Sequence, residues 1–204
     1  MELQLAILLF ALSASITPGP NNIMIMASGV NFGVNRSLPH LLGICFGFPV
    51  MLIMVGLGLS TIFVEYPSLH EVIKVLGLIY LLYLARKIAF SAPASLEGSV
   101  SKPFSFSQAA FFQWVNPKAW VMAISAISAF TSPSSGVYIE VLVISLIFFL
   151  VTFPCVGAWL FFGVGLKRFL RSQNHLRLFN ASMASLLVVS VLPVIVGLIK
   201  TYTA

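Results

Sequence analysis

Two short polar stretches interrupt a chain that is otherwise strongly apolar, and their residue types could hold a small zwitterion. The first is Thr17-Pro18-Gly19-Pro20-Asn21-Asn22; the second runs from Gln113 to Asn116-Pro117-Lys118. In the second, an Asn stands directly before a Pro, the pattern of an N-cap followed by Pro at the first helical position. The Thr17-Pro18 and Pro20-Asn21 steps can start a helix in the same way. A helix that begins inside a hydrophobic span points unpaired N–H groups and the positive end of its dipole into the protein, which favours a small anion or a carboxylate. Lys118 would add a formal charge there. Asn21, Asn22, Asn116 and Gln113 supply side-chain carbonyls, and a broken helix frees backbone carbonyls, all able to accept from an ammonium group. Trp114 and Trp120 flank the second stretch and read as anchoring or packing residues before they read as pocket walls.

The remaining residues offer little competing chemistry. His40, His70 and His175 are expected at helix ends in separate connections, without the pairing a metal site needs. No nucleophile–base pair or phosphate-binding glycine loop is visible. The chain contains no Asp, and no Glu falls in the middle of an apolar run. No catalytic residue, metal ligand or cofactor is therefore expected, and a carrier working through a buried carboxylate is not what these residues describe. Two alternatives stay open. Cys45 and Cys155, near Pro49 and Pro154, could serve a transmembrane thiol–disulfide electron carrier, and an inorganic-ion exporter is conceivable although ligands are scarce.

The elements that must position these motifs follow from hydropathy. Of 204 residues, 59% are hydrophobic and 8% charged, against about 25% charged in a soluble domain. Such a chain is an all-α integral membrane protein. Apolar runs at about 3–33, 38–64, 72–92, 107–131, 137–165 and 180–200 can each supply the roughly 20 residues that cross a hydrocarbon core. Six transmembrane helices are predicted, with the first and fourth broken by the two polar stretches. Backbone interrupted at that depth survives only if it is packed in protein or lines a cavity. On this count Lys118 lies about 15 Å beyond the start of the fourth helix; if that helix starts later, near Asn116, Lys118 instead snorkels to the interface.

The polar stretch around 91–105 has linker composition and divides the chain into repeats at 1–92 and 107–204, joined by a cytoplasmic linker at 93–106, within one transmembrane domain. Three helices in each half would be inverted relative to one another. Two echoes support a 3+3 inverted repeat: the paired breaks in helices 1 and 4, and Phe48-Pro49 with Phe153-Pro154 in helices 2 and 5. Cations gather in the odd connections (Arg36; Arg86, Lys87, Lys102; Lys167, Arg168, Arg171, Arg177), while Lys74 and Lys200 lie opposite. That bias predicts cytoplasmic odd connections and both termini on the outer side. The net charge of +6 is thus an orientation signal, and no nucleic-acid partner is expected. No cation precedes the first apolar run, so it is expected to be retained as a span and not removed as a signal peptide. Gly43 and Gly47 form a GxxxG pair suited to an internal contact or to a homodimer.

With these residues in view, the chain resembles the LysE/RhtB family of bacterial amino-acid exporters. The resemblance covers essentially the whole length: Pro18-Gly19-Pro20 in the first segment, Gly29, Gly33 and Arg36 after it, and Asn116-Pro117-Lys118-Ala119 opening the second half. It implies a multi-pass protein of the bacterial inner membrane that exports amino acids or their derivatives from the cytoplasm, driven by an ion or membrane gradient. The expected substrate-binding residues are Thr17, Pro18, Gly19, Pro20, Asn21, Asn22, Gln113, Asn116, Pro117 and Lys118. The absence of an intramembrane carboxylate favours a neutral amino acid over a cationic one.

Overall fold

A computed structural model describes residues 2–59, 65–90, 102–131, 137–170 and 172–203. The described residues form helices α1 (Glu2–Ile16), α2 (Pro20–Met54), α3 (Pro67–Ala89), α4 (Phe106–Phe112), α5 (Pro117–Phe130), α6 (Val137–Leu166) and α7 (Gln173–Thr203). A π-helical turn, Val55–Leu59, follows α2, and a 3₁₀ turn, Gln113–Val115, follows α4. Most of the expected linker, 91–101, lies outside the described residues, as does Arg171.

The breaks fall where the prolines put them. Pro18 and Pro20 have no N–H to continue the ladder of α1, and Gly19 between them is fully extended (φ −176°, ψ 179°) before Pro20 opens α2 at its first position. In the second half, Asn116 leaves the helical region (φ −85°, ψ 110°) and Pro117 begins α5. Helix α4 precedes that break, opened by a capping box in which Ser105 Oγ accepts from the Gln108 amide and Gln108 Oε1 accepts from the Ser105 amide. Lys118 thus follows a helix and a break and does not open the segment.

The first and second expected spans meet at Gly33, where two helical arms of α2, 20–32 and 34–54, join across a sharp kink, and Arg36 lies in the first turn of the second arm. Gly33 has φ 77° and ψ −179°, a conformation open only to glycine, so the chain turns there without spending a loop. His40 accordingly sits inside α2, fully buried, and not at a helix end.

The outer surface is a belt of exposed leucine and phenylalanine, including Leu5, Leu8, Leu9 and Leu12 on α1 and Leu142, Leu146, Leu150, Phe161 and Phe162 on α6. Such a surface suits lipid, since apolar patches of this extent are not kept in water. The stretch Pro20–Gly58 and helix α6 are each long and apolar enough to cross a membrane; α1 and α5 are apolar but of 15 and 14 residues, about 22 Å at most. Inside, α2 packs along α6, α3 on α7, and each helix ahead of a break packs on a long helix of the other half, α1 on α6 and α4 on α2. A Cβ on Gly47 would lie 2.6 Å from Ala110 Cα, and Gly43 is pressed as closely on Phe106. The GxxxG pair is therefore consumed by the α2–α4 contact. Cys45 and Cys155 are free, buried thiols in different apolar clusters.

Candidate functional site

The two breaks meet. Asn21 and Gln113 exchange a reciprocal pair of amide hydrogen bonds, Asn21 Nδ2 to Gln113 Oε1 at 2.8 Å and Gln113 Nε2 to Asn21 Oδ1 at 3.1 Å. Lys118 reaches across in the other direction, its Nζ donating to the carbonyls of Thr17 (2.5 Å) and Pro18 (3.4 Å). Gly19 makes room for this, because a Cβ there would stand 2.7 Å from Lys118 Cδ.

Four carbonyls around the first break, those of Ser15, Ile16, Thr17 and Pro18, accept from side-chain donors. Pro20 cannot donate to Ile16, whose carbonyl accepts from Trp159 Nε1 at 3.1 Å. Asn22 Nδ2 donates to both Ser15 and Thr17 carbonyls at 2.9 Å. Lys118 completes the set, with its cation at the negative end of α1. At the second break, Asn116 Oδ1 accepts from the Lys118 amide at 3.1 Å, and its carbonyl accepts from the Ala119 and Trp120 amides. Trp120 Nε1 donates to the Trp114 carbonyl at 2.8 Å, and the two indoles meet edge to face. These tryptophans pack the break.

The two half-helix starts are therefore unequal. Helix α5 is capped by its own Asn116. Helix α2 has no side-chain cap, and its first internal bond is from the Ile23 amide to the Gly19 carbonyl. The Asn21 and Asn22 amides lie ahead of that ladder.

A cavity opens at this junction. Its polar wall is Ser15, Asn21, Asn22, Asn116, Lys118 and Thr152, and its apolar wall includes Ile44, Phe48, Met122 and Val156. Of the ten residues expected from sequence, Gly19, Asn21, Asn22, Asn116 and Lys118 line it. The others are not on its wall: Thr17 and Pro18 contribute carbonyls to Lys118, Gln113 is buried against Asn21, and Pro20 and Pro117 start the helices. Sequence reasoning missed Ser15 and Thr152, whose hydroxyls lie 3.5 Å apart across α1 and α6. The only available signal was a lone hydroxyl in an apolar run. The cavity volume is about 30 Å³, enough for a couple of water molecules. Among the described residues no group of three His, Cys, Asp or Glu could hold a metal.

Comparison with known proteins places the chain. It is 33% identical over 181 residues to the cysteine/O-acetylserine efflux proteins of Salmonella typhimurium (strain LT2) and Salmonella choleraesuis (strain SC-B67), covering 88% of this chain and 90% of each relative. The protein of the same description from Escherichia coli (strain K12) is 32% identical over the same share. No solved structure matches significantly. The profile of the LysE type translocators matches residues 12–196, nearly the whole chain including both breaks, and the protein belongs to that family of membrane transporters.

Proposed function

We propose that the protein exports a small neutral amino acid, of the size and polarity of cysteine or O-acetylserine, from the cytoplasm across the bacterial inner membrane. The observation that carries this reading is the junction of the two breaks, where an uncapped helix start and Lys118, its ammonium held by the Thr17 and Pro18 carbonyls, meet at one cavity. The carboxylate docks at the Asn21 and Asn22 amides with Lys118 beside it, and the ammonium is accepted by side-chain and backbone carbonyls of the breaks. Ile44, Phe48 and Met122 meet the side chain. The similarity to cysteine/O-acetylserine efflux proteins supports this substrate class.

A cavity of this size admits water but no amino acid, so the described conformation is closed. Loading requires the first break to move away from α5, and the substrate carboxylate is the group that competes for Lys118 with the Thr17 and Pro18 carbonyls. Six spans in a 3+3 inverted arrangement, with both termini periplasmic, are part of the reading. The cross-packing of α1 on α6 and α4 on α2 supports it.

Transport of radiolabelled cysteine by the purified protein in proteoliposomes tests the site. Asn116→Ala and Lys118→Ala are each expected to lower the rate by about tenfold, the equivalent of about 1.4 kcal/mol. Rates equal to wild type in both variants would show that the site lies elsewhere.

A further inference from the structure

Among the described residues, two buried side-chain polar atoms have no hydrogen-bond partner: Ser37 Oγ and His40 Nε2. They lie three residues apart on α2, hence on one face of the helix. Both residues are fully buried. Orphaned polar atoms in a native interior call for an explanation, usually water, an ion or a functional role. The other imidazole nitrogen, Nδ1, is 2.9 Å from Ser28 Oγ. Ser28 precedes the Gly33 bend and His40 follows it, so this hydrogen bond clasps the two arms of α2 across the bend. A Cβ on Gly33 would meet nothing within 4 Å. The arm that carries Ser28 also begins with Asn21 and Asn22 at the central cavity.

We propose that His40 is the proton-binding group of this exporter, taking up and releasing a proton as the Gly33 bend opens and closes. This rests on the export reading given above. In the neutral ring one nitrogen donates and the other accepts, which the Ser28 hydroxyl can meet from either side. In the protonated ring both nitrogens donate, so Nδ1 must give its hydrogen to Ser28 Oγ and Nε2 needs an acceptor, water or the Ser37 hydroxyl. Among the described residues, the charged groups placed near the imidazole are cations. Lys87 of α3 sits 5.0 Å from the Phe104 ring, which in turn contacts His40 at 4.9 Å, and Lys102 precedes α4; Arg36 lies one turn before His40 on α2. A second cavity, lined by Ser28, Asn31, Lys87, Lys102 and Phe104, lies next to this cluster and gives water a place from which to reach it. A charged imidazole among cations favours the conformation that exposes it to water, and the neutral ring favours the closed packing. A proton that prefers one conformation shifts the equilibrium toward it, and this is how the gradient would drive the cycle.

The test separates coupling from transport. Proteoliposomes containing the wild-type protein are given radiolabelled cysteine under an imposed pH gradient, and separately under equal internal and external cysteine, where exchange needs no net proton movement. His40→Asn keeps a polar group in reach of Ser28 but cannot carry the proton. It is expected to lose gradient-driven accumulation by about tenfold or more, a common size for coupling between linked sites, while exchange persists. Retention of gradient-driven accumulation by His40→Asn, or insensitivity of the wild type to the gradient, overturns the proposal. Loss of exchange together with accumulation assigns His40 a packing role and overturns it as well. Absence of any exchange in the wild type instead overturns the export reading itself.

Discussion

Gly19 lets the stem of Lys118 lie against the backbone of the first break, and the pair should behave as one unit. The methyl group of Gly19→Ala would stand 2.7 Å from Cδ and 3.2 Å from Nζ of Lys118. The lysine is flexible enough to yield, but only by leaving the Thr17 and Pro18 carbonyls. Gly19→Ala is therefore expected to slow cysteine transport in proteoliposomes while the protein still elutes as a folded species in detergent. Combined with Lys118→Ala it should add nothing further, because residues sharing one contact are not additive. What was legible at this scale was punctuation. Pro18, Gly19, Pro20, Asn116 and Pro117 announce helix ends through missing N–H groups and capping chemistry that need no partner to be recognised. Asn31, Thr152 and Asn180 were silent, and His40 was expected at a helix end, because a single polar residue in an apolar run carries no mark of the partner it will meet, which for Asn31 lies 149 residues away.

The longest element, α2, is held by contacts at both arms. Its first arm crosses α6 so closely that a Cβ on Gly29 would lie 2.5 Å from the Leu160 carbonyl oxygen, and Gly163 is pressed in return on the Met26 backbone. Gly163→Ala must force these backbones apart and is expected to destabilise by about 1–3 kcal/mol, the usual cost of overpacking, read as a lower melting temperature in detergent. The same arm is tied to α7 by Asn31 and Asn180, which exchange amide hydrogen bonds of 2.9 and 3.2 Å. A double-mutant cycle with Asn31→Leu and Asn180→Leu should return a coupling of about 0.6–1.7 kcal/mol, the range for polar pairs inside membranes. The division of α2 at Gly33 was legible as the end of the first apolar run, whereas the residues expected to form a connection around Arg36 have helical backbone. Polarity marks exposure or partnership, and here Ser37 is buried.

At the scale of the whole molecule, the fold is a set of apolar helices with a polar junction where the two helix breaks meet. The hydropathy made the all-helical membrane class plain from the sequence, since 59% hydrophobic content leaves no polar surface to face water. The proposed inverted arrangement of the halves rests on the paired breaks and on three spans in each half, and the cation bias predicts which way it faces. Reporter fusions at the N- and C-termini are expected to be active only as periplasmic reporters, and a reporter inserted near 95 only as a cytoplasmic one; the reverse pattern would invert the direction in which substrate meets the cavity.

The indole that supplies a hydrogen to the Ile16 carbonyl has a use of its own. The chain has three tryptophans, and all of them sit at the breaks: Trp159 on the first, Trp114 and Trp120 on the second. The protein thus carries native fluorophores at the joints that the proposed transport cycle separates. Loading should change the hydration of these rings, so unlabelled substrate is expected to shift the emission of the purified protein, and Trp159→Phe would report which joint moves first.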